Sequence, residues 1–257
     1  MAKMKVGAQL YTCRRTCQTI EGLADTLRKL KKIGYNYVQI SGIGAFDPKQ
    51  VAQVLADEGL QCCCTHMAWD RFMKNTAEVI EIHQLWKCKH PAIGGLPGEY
   101  YSEAGLKRFL SELPPVAEKL LAAGMDFSYH NHNHELAKLG ATTWLDALYA
   151  KSDPRHLKAE LDTYWIQAGG GDPAEWIARL AGREPLLHLK DMTVNKERKP
   201  EFAEIGEGNL NWPRILKAAE SAGVEFALVE QDETYGRDPL DCLAVSYRNL
   251  KAMGAAF

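Results

Sequence analysis

The chain has no charge excess of either sign, no long apolar run and no low-complexity tract, and each absence removes a class of function. Lys and Arg number 31 against 33 Asp and Glu, a formal net charge of -2. No global positive field therefore draws in nucleic acid or an anionic membrane. No stretch is apolar over the roughly 20 residues that a bilayer-spanning helix needs. The N-terminal MAKMKVGAQLYTC holds no signal-peptide core, so a soluble, cytoplasmic protein without a membrane partner is expected. No linker or block of like charge divides the 257 residues, which makes one domain over 1–257 the simplest organisation. A GxGxxG turn after the first strand is also missing; Gln9-Leu10-Tyr11-Thr12 stands there instead, which weakens an open dinucleotide-binding sheet.

Cysteine is present but not arranged for chemistry. Seven is an odd count, and Cys62, Cys63 and Cys64 are consecutive in what reads as a buried strand. Adjacent strand residues point to opposite faces, so these three cannot all serve one site. Cys13 and Cys17 flank a short loop as a possible metal pair, but no second pair follows at zinc-site spacing. Reduced core thiols are the expected state.

What is there is a recurring unit. An amphipathic helix ends in Gly, a short β-rich run follows, and the run ends in polar residues: LRKLKKIGYNYVQIS, VAQVLADEGLQCCCTH, AEKLLAAGMDFSYHNH and ILKAAESAGVEFALVEQD. Gly34, Gly59, Gly124 and Gly223 stand where a helix needs a left-handed terminating residue. Leu23, Leu27, Leu30 and Ile33 keep the spacing of one buried helical face. With KVGAQLY, the weaker HPAIGGLP, LKAELDTYW and LLHLKDM as further strands, about eight strand ends appear: Gln9, Gln39, His66, the Gly94 region, His130, Asp162, His188 and Glu230. Strands alternating with helices pair in parallel, and about eight such units in 257 residues predict an α/β fold closed as a single (β/α)8 TIM barrel.

The strand ends of such a barrel converge on one mouth, where catalytic residues sit. Asp162, His188 and Glu230 each follow a short apolar run and so meet there. Buried carboxylates need compensation, and a divalent cation supplies it. Mixed imidazole and carboxylate donors suit manganese, cobalt, zinc or iron and disfavour calcium. In SYHNHNHE, a regular strand puts Ser128, His130, His132 and His134 on one side. Lys190, two residues after His188, shares its face and is expected to bond a substrate oxygen; the alternative is a salt bridge to Asp191 or Glu160. Glu160 points inward one layer below Asp162. Trp165 is placed to stack on a substrate ring or to join the core, and Gln9 and Tyr11 are candidate hydroxyl contacts. Gln231 and Asp232 follow Glu230 and are candidates to orient it. Gly169-Gly170-Gly171 resembles a phosphate cradle, but Asp172-Pro173 after it is a plain helix start, so a loop role is expected.

AELDTYW, LLHLKDM, AEIGEGNLNW and ALVEQDETYGRDPLDCLAVSYRNLK resemble the xylose isomerase-like TIM barrel superfamily, the sugar phosphate isomerase/epimerase group, over nearly the whole chain. The resemblance implies one divalent metal ion (manganese, cobalt, zinc, iron or magnesium) held after the fifth to eighth strands by Glu, Asp, His and Glu. The last three are Asp162, His188 and Glu230. The first departs from the family: its Glu-Asn-His run aligns with His130-Asn131-His132, which puts His130 at the ligand position, with His132 a nearby substrate contact or the alternative ligand. Glu135 lies too far into the loop. The resemblance also implies a substrate-binding His66, a small-molecule sugar partner and a homo-oligomer.

Family epimerases resemble a two-base machine, with a Glu on each side of the substrate carbon. Here Glu230 supplies one base and Lys190 a substrate contact, but the opposite Glu is missing. One-base isomerisation, or elimination from a 3-keto-sugar or keto-glycoside through the same enolate, gains ground over two-base epimerisation. A nucleic-acid hydrolase resembling endonuclease IV needs more metal ligands and a basic face, and the charge balance opposes it. A sugar-binding protein without catalysis is opposed by the retained Asp162, His188 and Glu230.

Overall fold

The computed structural model describes residues 4–255. Eight strands run Lys5–Gln9 (β1), Tyr37–Ile40 (β2), Gln61–His66 (β3), Pro91–Ile93 (β4), Ser128–His130 (β5), Lys158–Asp162 (β6), Leu186–Leu189 (β7) and Phe226–Val229 (β8). They form a closed parallel barrel in which β1 pairs with both β2 and β8. The expected (β/α)8 architecture is the observed one.

Local chemistry explains the elements. The helix Ile20–Ile33 starts where the Thr19 side chain accepts from the Gly22 N–H and ends at Gly34, a cap of a kind that contributes about 1 kcal/mol. It buries Leu23, Leu27 and Leu30 against the strands, each worth roughly 1.5–3 kcal/mol. Gly34, Gly59, Gly124 and Gly223 all have positive φ, as the terminating role requires.

Two expectations need correction. The fifth strand stops at His130, so His132 lies in the following loop and His134 opens the short helical turn His134–Leu136, neither on its alternating face. At β3 the pairing register shifts, with Val38 opposite Cys62 but Gln39 opposite Cys64. This bulge breaks the simple alternation: Cys63 and Cys64 both join an inner cluster with Ala92, Leu186, Phe226 and Leu228, whereas Cys62 packs in the outer core. All seven cysteines are free and buried.

The barrel interior is therefore apolar at its base and turns polar toward the C-terminal strand ends. Parallel register sets the layers: Glu160 lies beside Leu186, and Asp162 and Leu228 beside His188. Beyond β7 an antiparallel ribbon, Asp191–Val194 with Pro200–Ala203, rises over the mouth.

A candidate metal centre at the barrel mouth

His130 and Asp162 are the last residues of β5 and β6, His188 is the next to last of β7 and Glu230 directly follows β8; all are buried. One donor atom from each lies within 4.8 Å of the others. His188 Nδ1 is 2.8 Å from Glu230 Oε2 and 3.7 Å from Asp162 Oδ2, and His130 Nε2 is 3.3 Å from Asp162 Oδ2. Ligands about 2.1 Å from a common ion lie about 3.0 Å apart at a right angle and about 3.4 Å apart at the tetrahedral angle. The observed separations bracket those values, so this buried group can bind a divalent ion. His130 also keeps Nδ1 buried without a hydrogen-bond partner.

A layer below holds this group in place. Gln39 Nε2 donates to Glu160 Oε1 at 2.8 Å, which turns Gln39 Oε1 toward His188 Nε2 at 2.6 Å. His188 thus donates from Nε2 to an amide oxygen and presents Nδ1 to the carboxylates, the arrangement that orients a metal-binding imidazole. Glu160 also takes His66 Nε2 at 2.6 Å. Asp162 divides its labour: Oδ1 accepts from the Trp165 N–H and caps the helix Thr163–Ala168, leaving Oδ2 for the cluster.

Opposite charges face one another at the centre. Burial alone would raise the Glu230 and Asp162 carboxyls, but Lys190 and the neighbouring imidazoles overcome it and hold both well below the usual range. Burial likewise opposes a charged His188, yet Glu160 and Glu230 raise it well above an ordinary histidine. His130 goes the other way, to about 4, because burial and the His188 charge both disfavour its cation.

Lys190 is 3.0 Å from Asp162 Oδ2, 2.9 Å from Glu230 Oε2 and 2.9 Å from Asp232 Oδ1. The expected alternative partners, Asp191 and Glu160, are not these. Asp191 is instead consumed by the loop after β7, accepting from the N–H groups of Gly206, Gly208 and Leu210 and from Trp212 Nε1. A Cβ on Gly208 would meet Asp191 Oδ1 at 2.4 Å, which explains the glycine.

The remaining sequence candidates divide. His66 lies beside the centre, its ring centroid 5.0 Å from that of His130 and 5.4 Å from that of His188. The His132 ring meets that of His130 edge-on at 5.0 Å and lies tilted 5.3 Å from that of Trp165. His132 Nδ1, Trp165 Nε1 and Gln9 Nε2 are each buried without a hydrogen-bond partner, although His132 Nδ1 lies 4.0 Å from Glu135 Oε1. Tyr11 is exposed under the Arg14 guanidinium rather than in the centre. Gln231 turns its side-chain Nε2 to the Glu233 carbonyl rather than to Glu230. Glu135 is fully buried but belongs to Tyr129 Oη and the His132 N–H. The Gly169–Gly171 run packs on Leu136 and Trp176 as a loop. The sequence reading assigned no role to Gln39; its place at the end of β2, in the layer of Glu160, is the signal that marks it.

The comparisons agree with this architecture. The family model described as xylose isomerase-like TIM barrel matches residues 27–244. Among solved structures, a sugar phosphate isomerase/epimerase from Parabacteroides distasonis superposes with a TM-score of 0.81 at 24% identity, covering 98% of this chain and 95% of that one. An L-ribulose 3-epimerase gives 0.75 at 18% identity over 98% and 94%. A probable 3-DHS dehydratase from Bacillus anthracis gives 0.75 at 14% over 96% and 99%. No curated protein matches the chain. With a closed eight-stranded parallel barrel and a family match over most of its length, this chain belongs to the xylose isomerase-like TIM barrel family.

Proposed function

We propose that this chain is a divalent-metal-dependent sugar isomerase or epimerase that moves a proton at the carbon next to a carbonyl through an enediolate. The ligands in this reading are His130, Asp162, His188 and Glu230. The observation that carries it is the convergence of four buried donors within 4.8 Å at the ends of four successive strands. When bound, the ion supplies a positive charge that stabilises developing negative charge on adjacent substrate oxygens.

The chain's own groups do the rest. Glu230, kept ionised by Lys190 and His188 against its burial, takes the proton. Lys190 bonds a substrate oxygen while leaning on Asp232. His66, His132, Trp165 and Gln9 contact the sugar, the last three through buried atoms that have no hydrogen-bond partner in the protein. Gln39 and Glu160 fix the His188 ring. Because His130 stands where a second carboxylate is expected, transfer by a single carboxylate is favoured over a two-base epimerisation.

A second reading, elimination from a 3-keto-sugar or keto-glycoside, has one observation of its own. His66 is held by Glu160 at 2.6 Å, and an imidazole braced by a carboxylate is suited to hand a proton to a leaving group. Incubation of the metal-loaded chain with ketoses and keto-glycosides in deuterium oxide separates the readings. Isomerisation keeps the substrate skeleton and puts deuterium next to the carbonyl, elimination gives two fragments, and turnover without exchange overturns proton transfer. Glu230→Gln is expected to lose at least about a hundredfold in turnover while atomic absorption still finds the metal.

A further inference from the structure

The Lys190 ammonium shares its oxygens with the proposed ligand set, and that carries a consequence for metal binding. Two of its three acceptors, Asp162 Oδ2 and Glu230 Oε2, are the atoms that approach His130 Nε2 at 3.3 Å and His188 Nδ1 at 2.8 Å. The Lys190 side chain is only 1% exposed. An ammonium and a divalent ion on the same two oxygens are like charges a few ångströms apart where solvent screens little.

The third acceptor differs. Asp232 is not in the four-donor group, its carboxylate is 19% exposed, and it opens onto a cavity lined also by Thr12, Arg14, Thr234 and Tyr235. The lysine stem is long enough to turn, its ammonium carries three rotatable donors, and the Trp165 and Phe202 rings lie 5.4 and 5.7 Å from Nζ. Aromatic faces at that range favour a cation that stays at the mouth.

We infer that Lys190 is a resident counter-cation with two stations. Without metal it bridges Asp162, Glu230 and Asp232, and it adds a positive charge to carboxylates that otherwise have only imidazole partners. When a divalent ion enters, Lys190 gives up Asp162 and Glu230 and stays on Asp232. The inference rests on the metal reading above. It makes Lys190 a competitor of the ion, and Asp232 a positioning residue that acts through Lys190 by giving it somewhere to go.

The test is titration of the metal-stripped full chain with cobalt(II), followed by its visible absorption, in wild type, Lys190→Met, Asp232→Asn and the double variant. Lys190→Met is expected to tighten cobalt binding about tenfold and Asp232→Asn to weaken it about fivefold, ordinary sizes for coupling between two sites. In the Lys190→Met background the Asp232→Asn effect is expected to shrink below about twofold, since the two residues act as one unit. Lys190→Gln serves in the same role if the Met variant does not fold. Asp232→Asn alone keeps the lysine, and unchanged cobalt affinity in that variant overturns the inference. So does a Lys190 variant that folds without tighter binding, or an Asp232→Asn loss of equal size in the double variant, which means that Asp232 acts on the ion directly. A wild-type chain that binds no cobalt overturns the metal reading itself, a different failure.

Discussion

Glu184 and Glu160 are both fully buried, yet they resolve that burial in opposite ways. Glu160 is surrounded by His66, His188 and Gln39. Neither oxygen of Glu184 makes a hydrogen bond of normal geometry, and the nearby Leu161 N–H is too weak a counterweight to stop burial raising it well above the usual carboxylate range. The folded chain then keeps a proton that the unfolded chain releases above about pH 4.3, so stability falls as pH rises from there toward the folded value. Glu184→Met removes both the titration and the orphaned oxygens. It is expected to be more stable than wild type by about 1–3 kcal/mol at pH 8, with a smaller gain at pH 4; urea denaturation at the two pH values measures this. Gln39 is the complementary case, a neutral amide whose direction is fixed by Glu160. Gln39→Leu leaves the His188 Nε2–H without its amide acceptor, and metal affinity is expected to fall about 10–100-fold, read by calorimetric titration; an unchanged affinity means that the amide does not orient the ring.

Among the elements, the helix-terminating glycines are not equivalent. Gly223 has φ 82° and nothing within 4 Å of an added Cβ, whereas at Gly34, with φ 125°, that atom would lie 2.4 Å from Tyr247 Oη. The first glycine is required by its backbone alone, the second also by the close approach of the C-terminal helix Pro239–Ala252. Gly223→Ala is expected to cost about 1 kcal/mol, and Gly34→Ala distinctly more, by chemical denaturation; equal costs would mean that the Tyr247 ring moves aside freely. The glycines were legible because a left-handed cap is a local signal. The end of β5 was not, since SYHNHNHE keeps its alternation past the point where pairing with β4 and β6 stops. The Cys63 bulge is likewise a property of two strands and not of one.

At the scale of the whole molecule, the proposed metal centre predicts that folding is coupled to cation content. A ligand that binds only the folded chain stabilises it by about 2.7 kcal/mol at a hundred times Kd. Chelation with EDTA is therefore expected to abolish turnover and to lower the Tm by several degrees. Restoring free metal should raise the Tm with the logarithm of its concentration. Scanning calorimetry at graded free metal checks this, and a Tm indifferent to metal would argue that Lys190 alone completes the centre. Among the described residues, no helix is long and apolar enough to cross a membrane.

The barrel, its eight strand ends and the trio Asp162, His188 and Glu230 were readable from the chain because they depend on short-range patterns. A two-residue strand period, a 3.6-residue helix period and a glycine after each helix repeat often enough to force parallel pairing and closure. Which atoms meet was decided only by the tertiary structure. Asp191 and Asp232 are equally acidic neighbours of Lys190 in sequence terms. The loop after β7 turns its amides onto Asp191, and β8, beside β7 in the closed barrel, brings Asp232 to the ammonium instead. Residue type and periodicity select what reaches the mouth of the barrel, but the partner of a buried charge is set by register and loop path, which a single strand does not encode.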